Sequence, residues 1–218
     1  MATTYLDLVN AVLLRVREPT VQTVSQSSYS LLIGEMVNEA KREVEDAWNW
    51  AIFRTTKTIS TASTVSQYEI PSTNPRTRVL SVYLPSAHLY LEKVSEDHMN
   101  TLLNVNPTQA GRPYYYSFAP STAATGVLNI NVFPIPDQVY TIKAECVVPQ
   151  EDLVNDLDYA WLPKDVIVQG AYLRAINERG EDGGRLSDQQ SELYRKTVAN
   201  YISIEAERFK DELTWEAV

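Results

Sequence analysis

Across residues 27–50, apolar side chains recur at Ile33, Val37, Ala40, Val44 and Ala47. Steps of four and three place them on one face of a helix, predicted over 28–48. Glu39, Lys41, Arg42, Glu43, Glu45 and Asp46 fall on the other face and read as solvated. Lys41 with Glu45, and Arg42 with Asp46, are four apart, a spacing that adds a few tenths of a kcal/mol per pair. Gly34 is a weak point in this helix, and Trp48 and Trp50 close it as aromatic wedges before a strand-rich region. An earlier helix is predicted over 5–17, with Leu6, Val9, Leu13 and Val16 as its buried stripe. Thr4 and Asp7 form its capping box, and Pro19 stops it. Residues 19–26 read as a linker.

Strand patterns then dominate 53–148. Residues 54–60 and 65–70 read as a hairpin around 61–64, and 78–84 with 88–91 as a second, turned at 85–87. Three further strands are expected at 114–118, 127–133 and 139–148. Leu128, Ile130 and Val132 alternate with asparagines, the mark of a strand with one wet face. Residues 95–104 read as a short helix capped by Ser95. Short connections between strands argue for antiparallel pairing.

Helical patterning returns after an acidic loop, 151–158. Pro163 suits a first turn. The helix behind it, to about Glu178, is apolar on several sides (Val166, Ile167, Val168, Ala171, Tyr172, Leu173, Ala175, Ile176), so neighbours should cover more than one face. Gly180, Gly183 and Gly184 form its C-terminal turn. A last helix, capped by Ser187 and Gln190, runs to about Leu213, with a stripe of Leu193, Thr197, Tyr201 and Ile204 flanked by Tyr194 and Val198. The predicted class is α+β: an antiparallel helix bundle built from both chain ends (1–52 and 150–213), an inserted antiparallel β-domain with one short helix (53–149), and a C-terminal tail (214–218).

The 218 residues carry a net charge of −9, which argues against tight duplex binding, since that requires clustered Lys and Arg. Cys146 is the single cysteine, so no intramolecular disulfide forms, and no Cys/His spacing suggests zinc. No apolar run is long enough to span a membrane, and the start lacks a signal segment. These features point to an uncleaved protein made in the cytoplasm, with no cofactor.

Candidate chemistry is sparse. His88, in a predicted strand, and His98, on the short helix, lack metal spacing and read as surface or half-buried polar residues. Glu151, Asp152, Asp156 and Asp158 read as a solvated turn capping the next helix, with a weak divalent-ion site as the alternative. The run 179–184, RGEDGG, supplies positive φ at a helix end rather than a phosphate loop. Cys146 reads as core. Tyr114, Tyr115 and Tyr116 must point to both faces of one strand, so a ring should leave the main core, either at a subunit contact or under a second cover. Phe209, Leu213, Trp215 and Val218, spaced among charges at the C-terminal end, are candidate partner anchors. Docking back onto the chain's own bundle is the alternative.

Five segments, in order, carry a resemblance: TYLDLVNAVLLRVRE, SYSLLIGEMVNEAKREVEDAWNW, QAGRPYYYSF, NVFPIPDQVYTIKAE and AINERGEDGG. Together they resemble the head-to-tail adaptors of tailed bacteriophages, the tail tubular protein A type. The resemblance implies a structural virion protein of the neck. It implies a ring, typically of twelve copies, between the portal protein and the tail nozzle protein, through which DNA passes without specific binding. It also implies that the C-terminal segment engages the portal. The contrasting expectation is a small soluble enzyme or ligand-binding domain, for which the chain offers no convergent catalytic set.

Overall fold

A computed structural model of the chain describes residues 3–72, 74–105, 108–120, 128–180 and 185–209. The fold is mixed α+β, and it divides into two compact units, Met1–Ile52 with Gln150–Val218, and Phe53–Pro149.

The first unit holds β1 (Thr3–Thr4), α1 (Tyr5–Arg15), α2 (Ser28–Ala47), β10 (Tyr159–Ala160), α4 (Lys164–Arg179) and α5 (Arg185–Arg208). The Thr4 hydroxyl accepts from the Asp7 N–H and the Asp7 carboxylate accepts from the Thr4 N–H, closing the expected capping box. The stripe of α1 is wider than the apolar spacing indicated: Tyr5, Leu8, Val9, Val12 and Leu13 are buried, whereas Leu6 is only half-buried. Helix α2 starts at Ser28 as expected, and Ser27 caps it. Gly34 is less a weak point than a contact, because a Cβ there would stand 2.4 Å from the Tyr5 hydroxyl. Short β1 pairs antiparallel with β10, bringing the chain's start to the segment that precedes α4.

Helix α4 contacts α1, α2 and α5. Val166, Ile167, Val168, Ala171 and Ala175 are all essentially inaccessible to solvent, as its all-round apolar pattern requires. Gly180 ends it at φ +62°, its N–H donating to the Ile176 carbonyl; Gly183 and Gly184 lie outside the described residues. Helix α5 departs from expectation. It already includes Arg185, so Ser187 lies inside it and donates to the Asn177 side chain rather than serving as cap. Tyr194 is its buried residue, while Leu193 and Ile204 of the expected stripe are 46% and 44% exposed. Among the described residues only α4 covers it extensively, so the face it buries there is narrower than that of a helix enclosed on both sides.

The larger correction concerns α2. Lys41 and Glu45 do not lie in solvent: both side chains are completely buried, 3.0 Å apart. Lys41 Nζ also donates to the carbonyls of Gln150 and Glu151 at 3.0 and 2.9 Å. Arg42 reaches across to Asp152 of the acidic loop, at 2.6 Å. Trp50, rather than acting as a wedge alone, donates its indole N–H to the Val44 carbonyl and ties off the end of α2.

The second unit contains two four-stranded sheets. One has the order β2 (Arg54–Ser60), β9 (Thr141–Val147), β4 (Arg78–Leu84), β5 (Leu89–Tyr90). The other has β3 (Gln67–Glu69), β8 (Asn129–Phe133), β7 (Tyr115–Ala119), β6 (Glu92–Lys93). Ile59, Val82, Ile142 and Cys146 from the first and Ile130, Val132 and Tyr116 from the second share one core. The hairpin β4–β5 forms as expected. The hairpin expected from 54–60 and 65–70 does not: β2 pairs with β9 and β3 with β8. Thr61 marks the divergence. Its N–H donates to the Tyr140 carbonyl and its hydroxyl accepts from the Tyr140 N–H, holding the chain to the start of β9 as it leaves for the other sheet. The chain crosses sheets again at buried Leu91, between β5 and β6. Strands β6 and β7 are parallel, against the antiparallel expectation. The short helix α3 (Glu96–Val105), with Ser95 accepting from the His98 N–H, is the crossover that a parallel pair requires.

Truncating one partner of a buried ion pair leaves the other uncompensated, so Lys41→Met should destabilise the chain by about 3–5 kcal/mol in urea denaturation. The double variant Lys41→Met/Glu45→Leu should recover much of that loss. A single variant within 1 kcal/mol of wild type, roughly the scale of a surface pair, would mean that the pair is solvated.

Candidate interaction surfaces

The acidic loop is the most elaborately held segment of the first unit. Asn38 of α2, buried at 4% exposure, clamps Leu153 from both sides: its amide donates to the Leu153 carbonyl at 3.0 Å and its oxygen accepts from the Leu153 N–H at 2.9 Å. Lys41 holds the two carbonyls just before, and Arg42 holds Asp152. One Asp158 carboxylate oxygen accepts from the N–H groups of Val154 and Asn155. Asp156 accepts from the Val24 N–H. The loop therefore does not cap the helix that follows: α4 has no side-chain cap. It serves α1 instead, whose first N–H groups, those of Tyr5 and Leu6, donate to the carbonyls of Asp158 and Asp156.

This bracing raises rather than hides apolar side chains. Val154 is 77% and Leu157 73% exposed, and Tyr159 and Trp161 follow at about half. Isolated exposed apolar residues are ordinary, whereas four within eight residues of one braced segment make it a candidate contact surface. Leu31 of α2 borders the same groove of 700 Å³, with Glu35, Asp152 and Asp156. Burial, and then the field of those three carboxylates, pushes the Tyr5 hydroxyl up to about 12.

A second groove, 420 Å³, lies at the far end of α1, lined by Arg15, Arg17, Tyr172, Arg179 and Leu186 among others. The Arg15 guanidinium lies 5.9 Å from the centre of the Tyr172 ring. Arg179 is held by Glu18 at 2.6 Å and by the Tyr29 hydroxyl, which together raise its pKa further. A third groove is aromatic, with Trp50, Trp161, Tyr201 and Phe209 in its walls.

Of the residues singled out from sequence, Phe209 is 47% exposed, while Leu213, Trp215 and Val218 lie outside the described residues. The three tyrosines divide: Tyr116 is 4% exposed in the sandwich core, Tyr115 is half-buried and Tyr114 is 42% exposed beneath the Arg112 guanidinium. Val154, Leu157 and Trp161 were not singled out. Their signal was available, since Val154 and Leu157 are the apolar members of an otherwise polar acidic loop.

None of this resembles a reaction centre. His88 is exposed at the end of a one-turn 3₁₀ segment rather than in a strand, and His98 is exposed on α3. Cys146 is buried, which pushes its thiol up to about 11. Among the described residues no cluster of His, Cys, Asp and Glu is placed to hold a metal ion, and no helix is long and apolar enough to cross a membrane.

The class of protein follows from comparison with known families. The family model of the SU10 adaptor protein matches residues 3–211, and the chain belongs to that family of phage head-to-tail adaptors. It is a structural protein of the phage neck, in a family that is not an enzyme class. No curated protein matches the chain.

The bonds to Asp158 hold its carboxyl below the usual 3.8. A carboxylate depressed by folding contributes stability above its unfolded pKa and loses it as pH falls through the folded value. Asp158→Ala should therefore show a constant stability deficit above about pH 5 that narrows as pH drops below 3.8. Urea midpoints across pH 2.5–7 measure this, and a deficit that does not change with pH would remove the charge from the explanation.

Proposed function

We propose that the chain forms a ring, of about twelve copies, that joins the phage portal to the tail nozzle and continues the DNA channel. The ring size and the two partners come from the resemblance to head-to-tail adaptors. The helical unit acts as an antiparallel bundle built from both chain ends, builds the ring wall and faces the portal. The β-unit, an insertion between those ends, faces outward or toward the nozzle. The observation that carries this reading is the braced loop: a segment fixed by Asn38, Lys41 and Asp158 yet displaying Val154 and Leu157 to solvent is preorganised for a partner. An obligate ring contact would bury on the order of 2,000 Å² or more in total. The net charge of −9 suits a channel that lets DNA slide.

Phe209, at the end of the described chain, sits in the aromatic groove with Trp161. The segment beyond it, with Leu213, Trp215 and Val218, engages the portal in this proposal. Tyr114 and Tyr115 offer a subunit contact on the β-unit, and Tyr116 supports them from the core.

Purified protein mixed with its portal should give rings of portal symmetry in negative-stain images. Chains that stay monomeric and ignore the portal would overturn the proposal. Trp215→Ala, or removal of residues 214–218, should weaken portal attachment at least tenfold in a titration while the melting temperature holds. Unchanged attachment would take the tail out of the mechanism.

A further inference from the structure

Helix α1 separates two grooves of opposite character. Tyr5, its first residue, lines the groove of Glu35, Asp152 and Asp156, beside the exposed Val154 and Leu157. Arg15, its last residue, lines the groove of Arg17 and Arg179 with Tyr172 and Leu186; Glu18, paired to Arg179, is the one carboxylate among its lining residues, so three guanidiniums leave it basic. At 1.5 Å per residue the two are about 15 Å apart along the helix axis. One is acidic with projecting apolar side chains, and the other is a basic hollow with an apolar floor. Arg17 and Glu35 are both exposed, and neither makes an ion pair among the described residues.

Complementary faces on one unit are what a head-to-tail contact requires, because each copy must offer a donor face and an acceptor face that differ. A two-fold contact through either groove would instead bring like charges together, which costs affinity. A partner of another kind would need only one of the two faces.

We propose that the occupant of the basic groove is a second copy of this chain: the braced loop of one protomer inserts Val154 and Leu157 over Tyr172 and Leu186 of the next, with Glu35 facing Arg17. This rests on the ring reading above and deepens it by naming the two faces that meet. The loop arrives already shaped, so little is ordered on docking. Charge steers two net-negative copies into register through this basic groove, and salt weakens that steering.

The test uses full-length chain carrying Arg17→Cys and Leu157→Cys, both at exposed positions, assembled with the portal protein and oxidised. Cys146 is buried and out of reach. A non-reducing gel should show a ladder of linked copies from the double variant, and dimers only from a mixture of the two single variants. Dimers from either single variant alone would mean a two-fold contact and would overturn the proposal. Rings visible in the microscope without cross-links would overturn the pairing of these faces and leave the ring standing. Absence of rings from wild-type chain would overturn both. As a second measurement, Arg17→Glu and Glu35→Lys should each lower ring yield at least tenfold, and mixing them should restore it. Yields that stay at wild-type level, or a mixture that fails to recover, would count against the contact.

Discussion

A buried positive charge organises the first unit. Lys41 is completely removed from water, and its ammonium is satisfied by Glu45 on its own helix and by two backbone carbonyls of the loop returning from the β-unit. An isolated ammonium in that position would cost several kcal/mol, so the loop carbonyls cannot drift away without a large penalty. The charge thereby converts a surface connection into a fixed part of the structure. Asn38, one turn earlier, extends the hold to Leu153, and Asp158 then folds the next turn onto itself. The same loop completes the N-terminus of α1 and pairs, through β10, with β1. This polar anchor joins the two chain segments alongside the apolar packing of α4 and the ion pairs of Arg174 with Glu39 and Glu43 and of Arg179 with Glu18.

That arrangement explains an apparent contradiction in the burial pattern. Polar Asn38, Lys41 and Glu45 are inside, while apolar Val154 and Leu157 are outside. A loop packed by its own apolar side chains would have hidden them. Holding the loop by its backbone, with donors and acceptors from α2, leaves those side chains free for another protein. Buried polar groups are tolerated when every partner is present, and here they free the apolar ones for contact.

Sequence patterning made much of the fold legible. The capping box at Thr4, the all-round apolar α4, the crossover helix behind Ser95 and the alternating strand at Ile130 and Val132 each followed from local rules that tertiary structure had no reason to override. Strand partners were less legible, because an alternating strand fits any neighbour of matching face, and β2 and β3 went to different sheets. The buried ion pair was missed for a related reason: Lys41 and Glu45 at four apart look the same on a wet face as on a dry one. A finer signal existed. Asn38, Lys41 and Glu45 repeat the three–four spacing of Val37, Ala40 and Val44 one residue later, so the polar stripe runs directly beside the apolar one. The acidic loop read as solvated because its charges were counted, whereas the contact proposed for it rests on the exposed apolar residues among them.

The energetics of the proposed ring follow from these features. Copies carrying −9 each repel at a distance, which keeps free chains apart and makes closure depend on local complementarity. A preshaped loop lowers the ordering cost of each subunit contact, and it does so by drawing on stability stored within the helical unit. Docking onto a symmetric portal then multiplies whatever each copy contributes. In the proposed assembly, once one anchor is engaged the others bind at high effective concentration, so no single contact has to be strong. Weak individual anchors also let misplaced copies leave before the ring closes. A neck joint needs this combination: reversible while it is being built, and held by many contacts once complete.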